Sequence, residues 1–386
     1  MTRRPEVPRA GSTVANVVAI LALAVVVVGA GYAVSNWDEI SGGLQDQVAA
    51  IPELQAEREQ QAATGSESLL LLAMDDAGKV GSLALAASVD GQPSTFTVIP
   101  STLFDLLPGY GDFALSETVA FEGAELARVS VANALGVRID RVVTIPSGLI
   151  ASLPDMQLVV ELSEPVIRVD DSGSVQVGQA GQAVYEPAVV EELLTSQLDG
   201  SPVGWLDRQA AVWRATLVKL FEAPTLPQAL LGEGPASVAL GRVALNGPQV
   251  SLVPVNPVAV AGAEDGFQLV QVDVAAFVAD RLSHLALSAG PRPRVEVLNG
   301  NGEILATRSV VDALVTRGFH VVKTDNAENF EFAETVVISQ GRDNRDAAAR
   351  AAAELGVATV QLEVVAPSGV VDVSIIVGQD IATLRS

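Results

Sequence analysis

The stretch SLLLLAMDD, residues 68–76, points to the fold class because a continuous apolar run ends at two acidic residues. A short apolar run of this kind predicts a buried strand. Two more strand-like runs follow it, GSLALAASVD at 81–90 and STFTVIP at 94–100. Loops at strand ends carry binding groups in α/β proteins, so Asp75 and Asp76 are candidate ligand-binding residues. A solvated turn is the alternative for this pair, and no metal site is assigned to it.

Helical patterns alternate with strands along the rest of the chain. An amphipathic helix is predicted over 123–135, and VVEELLTSQL and DRQAAVWRATLVKLF have helical periodicity as well. A second unit then begins with a strand at 295–298, a turn at 299–302 and a helix at 303–317. Alternation of this kind predicts a layered α/β domain followed by a small C-terminal α/β domain.

The turn of the second unit has the sequence NGNG and supplies two further candidates, Asn299 and Gly300. Glycines in such a turn expose backbone amides at a helix N-terminus, where an anion could bind. The alternative is that a tight connection between strand and helix simply requires Asn and Gly. The second interpretation is the simpler one, and both stay open at this point.

Composition excludes several classes of function. The chain has 46 acidic and 23 basic residues and a formal net charge of −23, which opposes binding to nucleic acid. The absence of cysteine excludes disulfides, thiolate metal sites and cysteine nucleophiles. The two histidines, His284 and His320, lie in ordinary helix or strand contexts, which favours structural roles. A hydrophobic content of 49% predicts a globular or membrane-attached protein.

An uncharged segment near the N-terminus, residues 14–34, predicts a transmembrane helix. Its length suits the hydrocarbon layer of about 30 Å. Arg3, Arg4 and Arg9 precede it, so the positive-inside rule places the tail, 1–13, in the cytoplasm. We therefore expect a single-pass protein of the cell membrane whose remaining chain is extracytoplasmic. A cleaved signal peptide is the alternative, although its apolar region would be shorter than this one.

The rest of the chain divides by composition. Residues 35–65 are polar, with apolar residues at helical spacing, and predict a helical stalk. The first α/β domain is predicted over 66–287. The Pro- and Gly-bearing segment at 288–291 is the predicted linker, and 292–380 is the predicted C-terminal domain.

An anchor, a stalk and a domain that opens with LLLLAMD and contains VIP and PGYG resemble the LytR–CpsA–Psr family. The segment VANALGVRIDRVVTI, residues 131–145, is similar to the family's helix–glycine–strand unit. Residues 292–380 resemble the LytR C-terminal-type domain that accompanies the family in actinobacteria. The resemblance implies a layered α/β fold for the first domain and transfer of polyprenyl-phosphate-linked glycopolymers onto the cell wall.

The resemblance also implies arginines that grip a pyrophosphate and carboxylates that hold Mg²⁺, and this chain lacks most of them. Asp75 matches the family's first aspartate. Where the family has Arg-Ser-Asp-Thr, this chain has VGSL at 80–83, with Lys79 nearby as a point charge. After Ile-Pro the family has Arg-Asp, and here Ser101 and Thr102 stand instead. A neutral hydroxyl is a weak substitute for a guanidinium, whose paired donors match phosphate oxygens.

The family's later helix carries Arg, two intervening residues and then Arg-Gln. Here Trp205 replaces the first arginine, while Arg208 and Gln209 are kept and are candidate ligand-binding residues. With most of the clamp missing, the sequence predicts a pseudoenzyme and assigns no catalytic residue. Displaced arginines such as Arg128, Arg141 or Arg208 would have to serve if the protein were an enzyme.

The expected function is therefore that of a non-catalytic, membrane-anchored protein of the cell envelope. It would bind or scaffold a cell-wall glycopolymer, a polyprenyl lipid or lipid-linked precursor, or an active paralogous envelope protein. The alternative is a glycopolymer phosphotransferase that attaches polyprenyl-phosphate-linked polymers to the cell wall. No cofactor is expected, and Mg²⁺ enters only under the enzyme alternative.

Overall fold

A computed structural model describes residues 66–90, 92–170, 173–198, 201–259, 266–357, 360–363 and 369–384 of the 386-residue protein. The predicted tail, transmembrane helix and stalk lie outside these ranges. Among the helices that fall within them, none has both the length and the apolar composition needed to cross a bilayer.

The described residues form a mixed α/β structure, which confirms the predicted α/β class. The strands are β1 Ser66–Met74, β2 Val80–Val89, β3 Thr95–Ile99, β4 Phe104–Leu107, β5 Gly111–Ala114, β6 Arg141–Ile145, β7 Leu158–Leu162, β8 Val166–Asp170, β9 Gly173–Gly178, β10 Gly181–Tyr185, β11 Gln249–Leu252, β12 Val255–Val258, β13 Gly266–Leu269, β14 Arg294–Asn299, β15 His320–Asn326, β16 Val336–Gln340, β17 Val360–Glu363 and β18 Val373–Val377. The helices are α1 Thr118–Glu122, α2 Ala124–Leu135, α3 Leu149–Ser152, α4 Pro187–Thr195, α5 Pro202–Glu222, α6 Leu226–Leu231, α7 Pro235–Leu245, α8 Gln271–Arg281, α9 Ile304–Thr316, α10 Arg345–Leu355 and α11 Gln379–Leu384.

The first five-stranded sheet has the order β11-β3-β2-β1-β6. Strand β2 is antiparallel to both β1 and β3, whereas β6 is parallel to β1 and β11 is parallel to β3. Leucines 69 to 72 of β1 are fully buried, as an uninterrupted apolar run requires when both faces of a strand are covered. Helices α4 and α5 pack against strands of this sheet, and so bring their side chains to its edge at the start of β2.

The second five-stranded sheet has the order β15-β14-β18-β16-β17. Only the β16–β18 pair is antiparallel. The helix predicted over 303–317 is observed as α9, and the turn at 299–302 joins β14 to α9. The sequence therefore predicted the first strand, turn and helix of this unit closely.

The two sheets share one continuous buried core. The side-chain amide of Asn133, on α2, donates to the Val321 carbonyl at 2.8 Å and accepts from the Val321 amide at 2.9 Å. Arg292, just after the predicted linker, donates to the Asn133 carbonyl at 2.7 Å. Arg128 of α2 pairs with Asp312 of α9 at 2.8 Å. The C-terminal unit therefore packs on the first domain through α2. That residues 292–380 also fold alone is a prediction from their size and from their own strands and helices.

Pro100, Pro108, Gly109 and Gly111 predict a turn-rich loop after Ile99. The observed structure of this segment is more regular. It forms a β-hairpin from β4 and β5, in which Leu107 pairs with Gly111. Strand β15 of the C-terminal sheet packs against this hairpin. The hairpin therefore contributes to the contact between the two sheets.

Candidate functional site

The acidic pair predicted at the end of β1 lies on an exposed turn. The Asp75 carboxylate accepts a hydrogen bond from the Lys79 backbone amide at 2.8 Å. Asp76 accepts a hydrogen bond from the Ser147 hydroxyl. The Lys79 ammonium pairs with Glu117 at 2.7 Å. The polar groups of this turn therefore bond to other groups of the protein. This agrees with the alternative that the pair belongs to a solvated turn.

Residues 80–82 stand where the resemblance implies the first arginine of the clamp and the residues after it. Tight packing leaves no space beside them. Val80 is only 1% exposed. The backbone of Gly81 lies so close to α4 that a Cβ added there would be 2.3 Å from the Thr195 carbonyl oxygen. The Ser82 hydroxyl accepts a hydrogen bond from the Trp213 indole at 3.0 Å. No side chain larger than hydrogen fits at Gly81 unless α4 moves.

Two buried side chains donate hydrogen bonds to the carbonyl oxygen of Gly81. The Ser101 hydroxyl donates to this oxygen at 3.0 Å, and the Gln209 side-chain amide donates to it at 2.8 Å. Gln209 also donates to the Leu194 carbonyl at 2.9 Å. Ser101 and Gln209 are each 1% exposed, so neither is available to a ligand in this conformation.

Arg208 joins α5 to the C-terminal end of α4. Its Nε donates to the Leu193 carbonyl at 3.0 Å and one Nη to the Ser196 carbonyl at 2.8 Å. Burial lowers the pKa of Arg208 to about 10, and the charges of Glu164 and Glu192 oppose that shift. A cation near the last carbonyls of a helix interacts favourably with the helix dipole. The retained arginine therefore stabilises the contact between the two helices.

A cleft of about 240 Å³ lies between the β7–β8 turn, α5 and β11. Arg208 and Arg214 reach it, together with the acidic side chains of Glu161, Glu164 and Asp207. The carboxylates balance the arginines, so the cleft is not a strongly cationic site for a pyrophosphate. Asp75 is not among the residues that line it.

Trp205, which stands in place of the first arginine of the family's later helix, is 6% exposed. Two other arginines considered for the enzyme alternative also have acidic partners. Arg128 pairs with Glu125 at 2.6 Å in addition to its partner on α9, and Arg141 pairs with Glu67 at 3.2 Å. The enzyme alternative would need guanidinium groups converging near Asp75, whereas the described ion pairs of Arg128 and Arg141 are with other carboxylates.

The turn of the second sheet uses its polar groups within the fold. The Asn299 side-chain oxygen accepts hydrogen bonds from the amides of Asn301 at 3.2 Å and Gly302 at 2.8 Å. A Cβ added at Gly300 would lie 2.9 Å from the Val377 carbonyl oxygen and 2.8 Å from an Ile376 methyl group. This arrangement agrees with a tight connection between strand and helix and leaves these amides occupied.

The metal implied by the resemblance does not fit the residues present. The family's second carboxylate position holds Ser82, whose hydroxyl is bonded to Trp213, and the third holds Thr102. Across the described ranges, no three His, Asp or Glu residues are grouped as metal ligands. Hard cations such as Mg²⁺ need several oxygen ligands, and the turn at Asp75 and Asp76 supplies too few.

Both histidines are partly buried, and burial lowers the pKa of each. The pKa of His320 falls to about 4, with Arg292 and Arg294 adding to the shift. The pKa of His284 is also lowered, and Arg138 contributes. Both rings are therefore neutral near pH 7, in agreement with the structural roles expected from their sequence contexts.

Two acidic residues with buried carboxylate oxygens were not singled out from the sequence as site residues. Glu191 is buried and accepts hydrogen bonds from the amides of Gly148 and Ala151, at the N-terminus of α3. Asp105, on β4, has one carboxylate oxygen that is fully enclosed and has no hydrogen-bond partner. The helical pattern around Glu191 does not predict that its side chain binds the N-terminus of α3. In the sequence, Asp105 is notable only as the one charged residue between Pro100 and Pro108.

Comparison with protein families gives one match. Residues 292–380 match the family described as LytR cell envelope-related transcriptional attenuator. These are the residues that the sequence assigned to a LytR C-terminal-type domain. No curated protein matches the chain.

Several solved structures resemble the protein at low identity. TagV of B. subtilis is 13% identical, with a TM-score of 0.47 over 57% of this chain and 98% of TagV. TagT bound to LIIa-WTA is 18% identical, with a TM-score of 0.46 over 57% of this chain and 91% of TagT. The LytR-CPS2A-psr family protein YwtF (TagT) with bound octaprenyl pyrophosphate lipid is 15% identical, with a TM-score of 0.44 over 57% and 90% of the two chains.

The second sheet, with its NGNG turn, lies within the matched residues 292–380. Residues 292–380 therefore match a LytR-type C-terminal domain, as the sequence predicted.

Proposed function

We propose that the protein is a non-catalytic, membrane-anchored component of the cell envelope. It binds or holds wall polymers, lipid-linked precursors or an active paralogous protein. The family of the C-terminal domain supports the envelope setting. The charge of −23 supports ligands other than nucleic acid.

The observation that carries this proposal is the closure of α4 over Gly81. A phosphotransferase stabilises the charge on its phosphoryl groups with guanidinium donors or metal ions that are aimed at them. Here the position that follows Val80 has no room for a side chain, and Arg208 binds the carbonyls of α4 instead. The remaining donor, Ser101, is neutral and already bonded to Gly81. A charge-assisted clamp is therefore missing at each of these positions.

A transfer assay tests the non-catalytic part of the proposal. Detergent-solubilised full-length protein is incubated with Mg²⁺ and a lipid-linked glycopolymer, and release of the polyprenyl product is measured. We expect no turnover. Ser101→Arg alone should not restore transfer, because Val80 and Trp205 leave the rest of the clamp absent.

Arg208→Ala and Arg214→Ala form a matched pair on α5, since Arg208 is buried and Arg214 is exposed. Turnover by the unmodified protein that is lost in Arg208→Ala and kept in Arg214→Ala would overturn the proposal in favour of the phosphotransferase. Thermal melting of both variants would separate loss of catalysis from loss of folding.

The proposed location follows from the arginines that precede residues 14–34, which orient the rest of the chain away from the cytoplasm. Protease treatment of intact spheroplasts should remove the region after Trp37. Cleavage only after permeabilisation would show the opposite orientation. An affinity pull-down from solubilised envelope, scored separately for wall polymers, polyprenyl lipids and paralogous proteins, identifies the partner class.

A further inference from the structure

Strand β11 forms one edge of the first five-stranded sheet, and in the described part of the chain only β3 pairs with it. The Gln249 amide donates to the Ser94 carbonyl at 3.0 Å, and the Val253 amide donates to a carbonyl of β3 at 3.2 Å. Backbone groups alternate in direction along a strand, so the amides and carbonyls of Val250 and Leu252 point away from β3. A strand edge of this kind can pair with another extended chain. We refer to the outward side of Val250 and Leu252 as the β11 edge.

The β11 edge borders the cleft of about 240 Å³ that lies between the β7–β8 turn, α5 and β11. Val250, Ser251 and Leu252 all line this cleft, and each is partly exposed. Successive side chains of a strand point to opposite faces of a sheet, so three consecutive lining residues place the backbone edge at the cleft. The outward amides and carbonyls therefore have space beside them for a ligand.

Helix α5 forms the wall on one side of the β11 edge. Val250 is the register partner of Phe96, and the centroid of the Phe96 ring lies 5.2 Å from that of Trp213 on α5. Register partners place their side chains on the same face of a sheet, so α5 covers the face to which Val250 belongs. Four residues of α5 at helical spacing line the cleft: Gly204, Asp207, Ala211 and Arg214. A strand added at this edge would therefore present every second side chain to α5.

The wall on α5 is acidic at one end and basic at the other. A Cβ added at Gly204 would overlap the Glu164 carboxylate, so this carboxylate lies against the first turn of α5. Asp207 follows one turn later. Arg214 lies ten residues beyond Gly204, about 15 Å along the helix at the usual rise, and it is exposed. Arg208 is buried on the same helix and donates to the carbonyls at the end of α4, so the guanidinium that this wall exposes to a ligand is that of Arg214.

We propose that an extended segment of a partner protein adds as a strand to the β11 edge. Its backbone bonds to the outward groups of Val250 and Leu252, which is the β-augmentation mode of peptide recognition. Its side chains that face α5 recur at every second residue, and those four residues apart are separated by about 13 Å. This spacing fits the two charged ends of the wall, so the segment carries a cationic residue and, four positions away, an acidic one. The assignment rests on the proposed binding function and identifies its partner as a polypeptide.

Fluorescence anisotropy tests the assignment with detergent-solubilised full-length protein and labelled heptapeptides. The probes are TKTVTET and its reverse, TETVTKT, because a strand can add in either direction. The isomer TKTVETT has the same composition, but its two charges are three residues apart and therefore on opposite faces of a strand. We expect one of the two probes to bind at least about tenfold more tightly than the isomer.

Two substitutions at one position separate the backbone from the side chain. Val250→Pro removes one outward amide and leaves the bonds to β3, since proline is tolerated where the amide of an edge strand faces solvent. Val250→Thr keeps the amide and the branched shape. We expect Val250→Pro to weaken binding about tenfold and Val250→Thr to change it less than about twofold. Arg214→Ala should remove the preference for the probe over the isomer.

Circular dichroism and thermal melting establish that the variants fold, and if Val250→Pro does not, the isomer and Arg214→Ala still decide. Binding of the isomer as tight as that of both probes, or binding that is unchanged in a folded Val250→Pro, would overturn the assignment. Absence of binding by all three peptides would overturn it as well and leave the envelope role standing. Transferase turnover would instead overturn the proposed function.

Discussion

The edge of the first sheet around Gly81 and the NGNG turn of the second sheet differ in how much of the family motif each keeps. In both regions the polar atoms are bonded within the protein. At the first, most family residues are replaced, and the replacements fill the space that a ligand would need. At the second, the motif is intact, yet Asn299 and Gly300 are fully engaged within the fold. The presence of a motif and the availability of its atoms are therefore separate properties.

The difference has a physical basis in what each residue type can contribute. A buried guanidinium requires acceptors wherever it lies, and Arg208 finds them in the carbonyls at the end of α4. A glycine in a close backbone approach is retained for its lack of a side chain, whether or not a ligand binds. Retained residues at either site can therefore be explained by packing, and function has to be assigned from exposed groups.

The largest expected effect is at the first site, from Gly81→Ala. The new methyl group would overlap the Thr195 carbonyl, and backbone atoms cannot move aside as a flexible side chain can. We expect the free energy of unfolding to fall by more than about 3 kcal/mol, as measured by denaturant titration. Gly290→Ala is the control, since no atom lies within 4 Å of a Cβ added there. Equal stability of the two variants would show that α4 does not close over β2 in solution.

The second effect is at the turn, from Gly300→Ala. A methyl group there meets Ile376, Phe332 and the Val377 carbonyl, so we expect a loss of about 2 kcal/mol in unfolding free energy. Inorganic phosphate at millimolar concentration should leave the melting temperature of the unmodified protein unchanged. A phosphate-dependent rise that Gly300→Ala abolishes would restore the anion-binding interpretation and break the comparison.

A smaller effect is expected from Asp105→Asn, on the hairpin that follows the first sheet's third strand. Burial raises the pKa of Asp105 from 3.8 to about 6, and Asp112 adds to the shift, while the Leu106 amide and Arg292 oppose it. The folded state thus binds more protons between these two values, so this group's contribution to stability falls as pH rises through that window.

Above pH 6 the buried carboxylate of Asp105 is charged, and this lowers the free energy of unfolding. Asp105→Asn should therefore raise that free energy by roughly 1–3 kcal/mol at pH 8. The gain should shrink as the pH is lowered towards 4. Thermal melting across pH 4–8 measures it, with Asp155→Asn as the control, because Asp155 is exposed and does not contribute to the shift. A gain that is independent of pH would contradict the raised pKa.

The smallest effect is expected from Lys79→Ala at the exposed acidic turn. Its partner Glu117 is 31% exposed and Lys79 itself is 50% exposed, so water screens the pair. We expect a change in unfolding free energy below about 0.5 kcal/mol. A loss several times larger, or one insensitive to added salt, would show that the end of β1 is held more tightly than its exposure suggests.

The strands and helices were largely predictable because their signals are local. Three predicted features appear where the sequence placed them: the apolar strand at 68–73, the helix at 124–135 with its left-handed cap at Gly136, and the strand, turn and helix over 295–317. The β4–β5 hairpin was missed, since Pro100 and the glycines that follow it indicated a loop. Its regularity depends on strand pairing and on contact with β15, which the local sequence does not specify.

By itself the sequence determined the α/β class, the missing arginines and the LytR-type C-terminal domain, because composition, periodicity and motifs are properties of neighbouring residues. Only the tertiary structure decided that Arg208 and Gln209 bind α4, that Gly81 is enclosed by Thr195, and that the β11 edge borders a cleft beside α5. Contacts such as that of Gly81 with Thr195 join segments far apart in the chain, and only the packing of helices on the sheet brings such segments together.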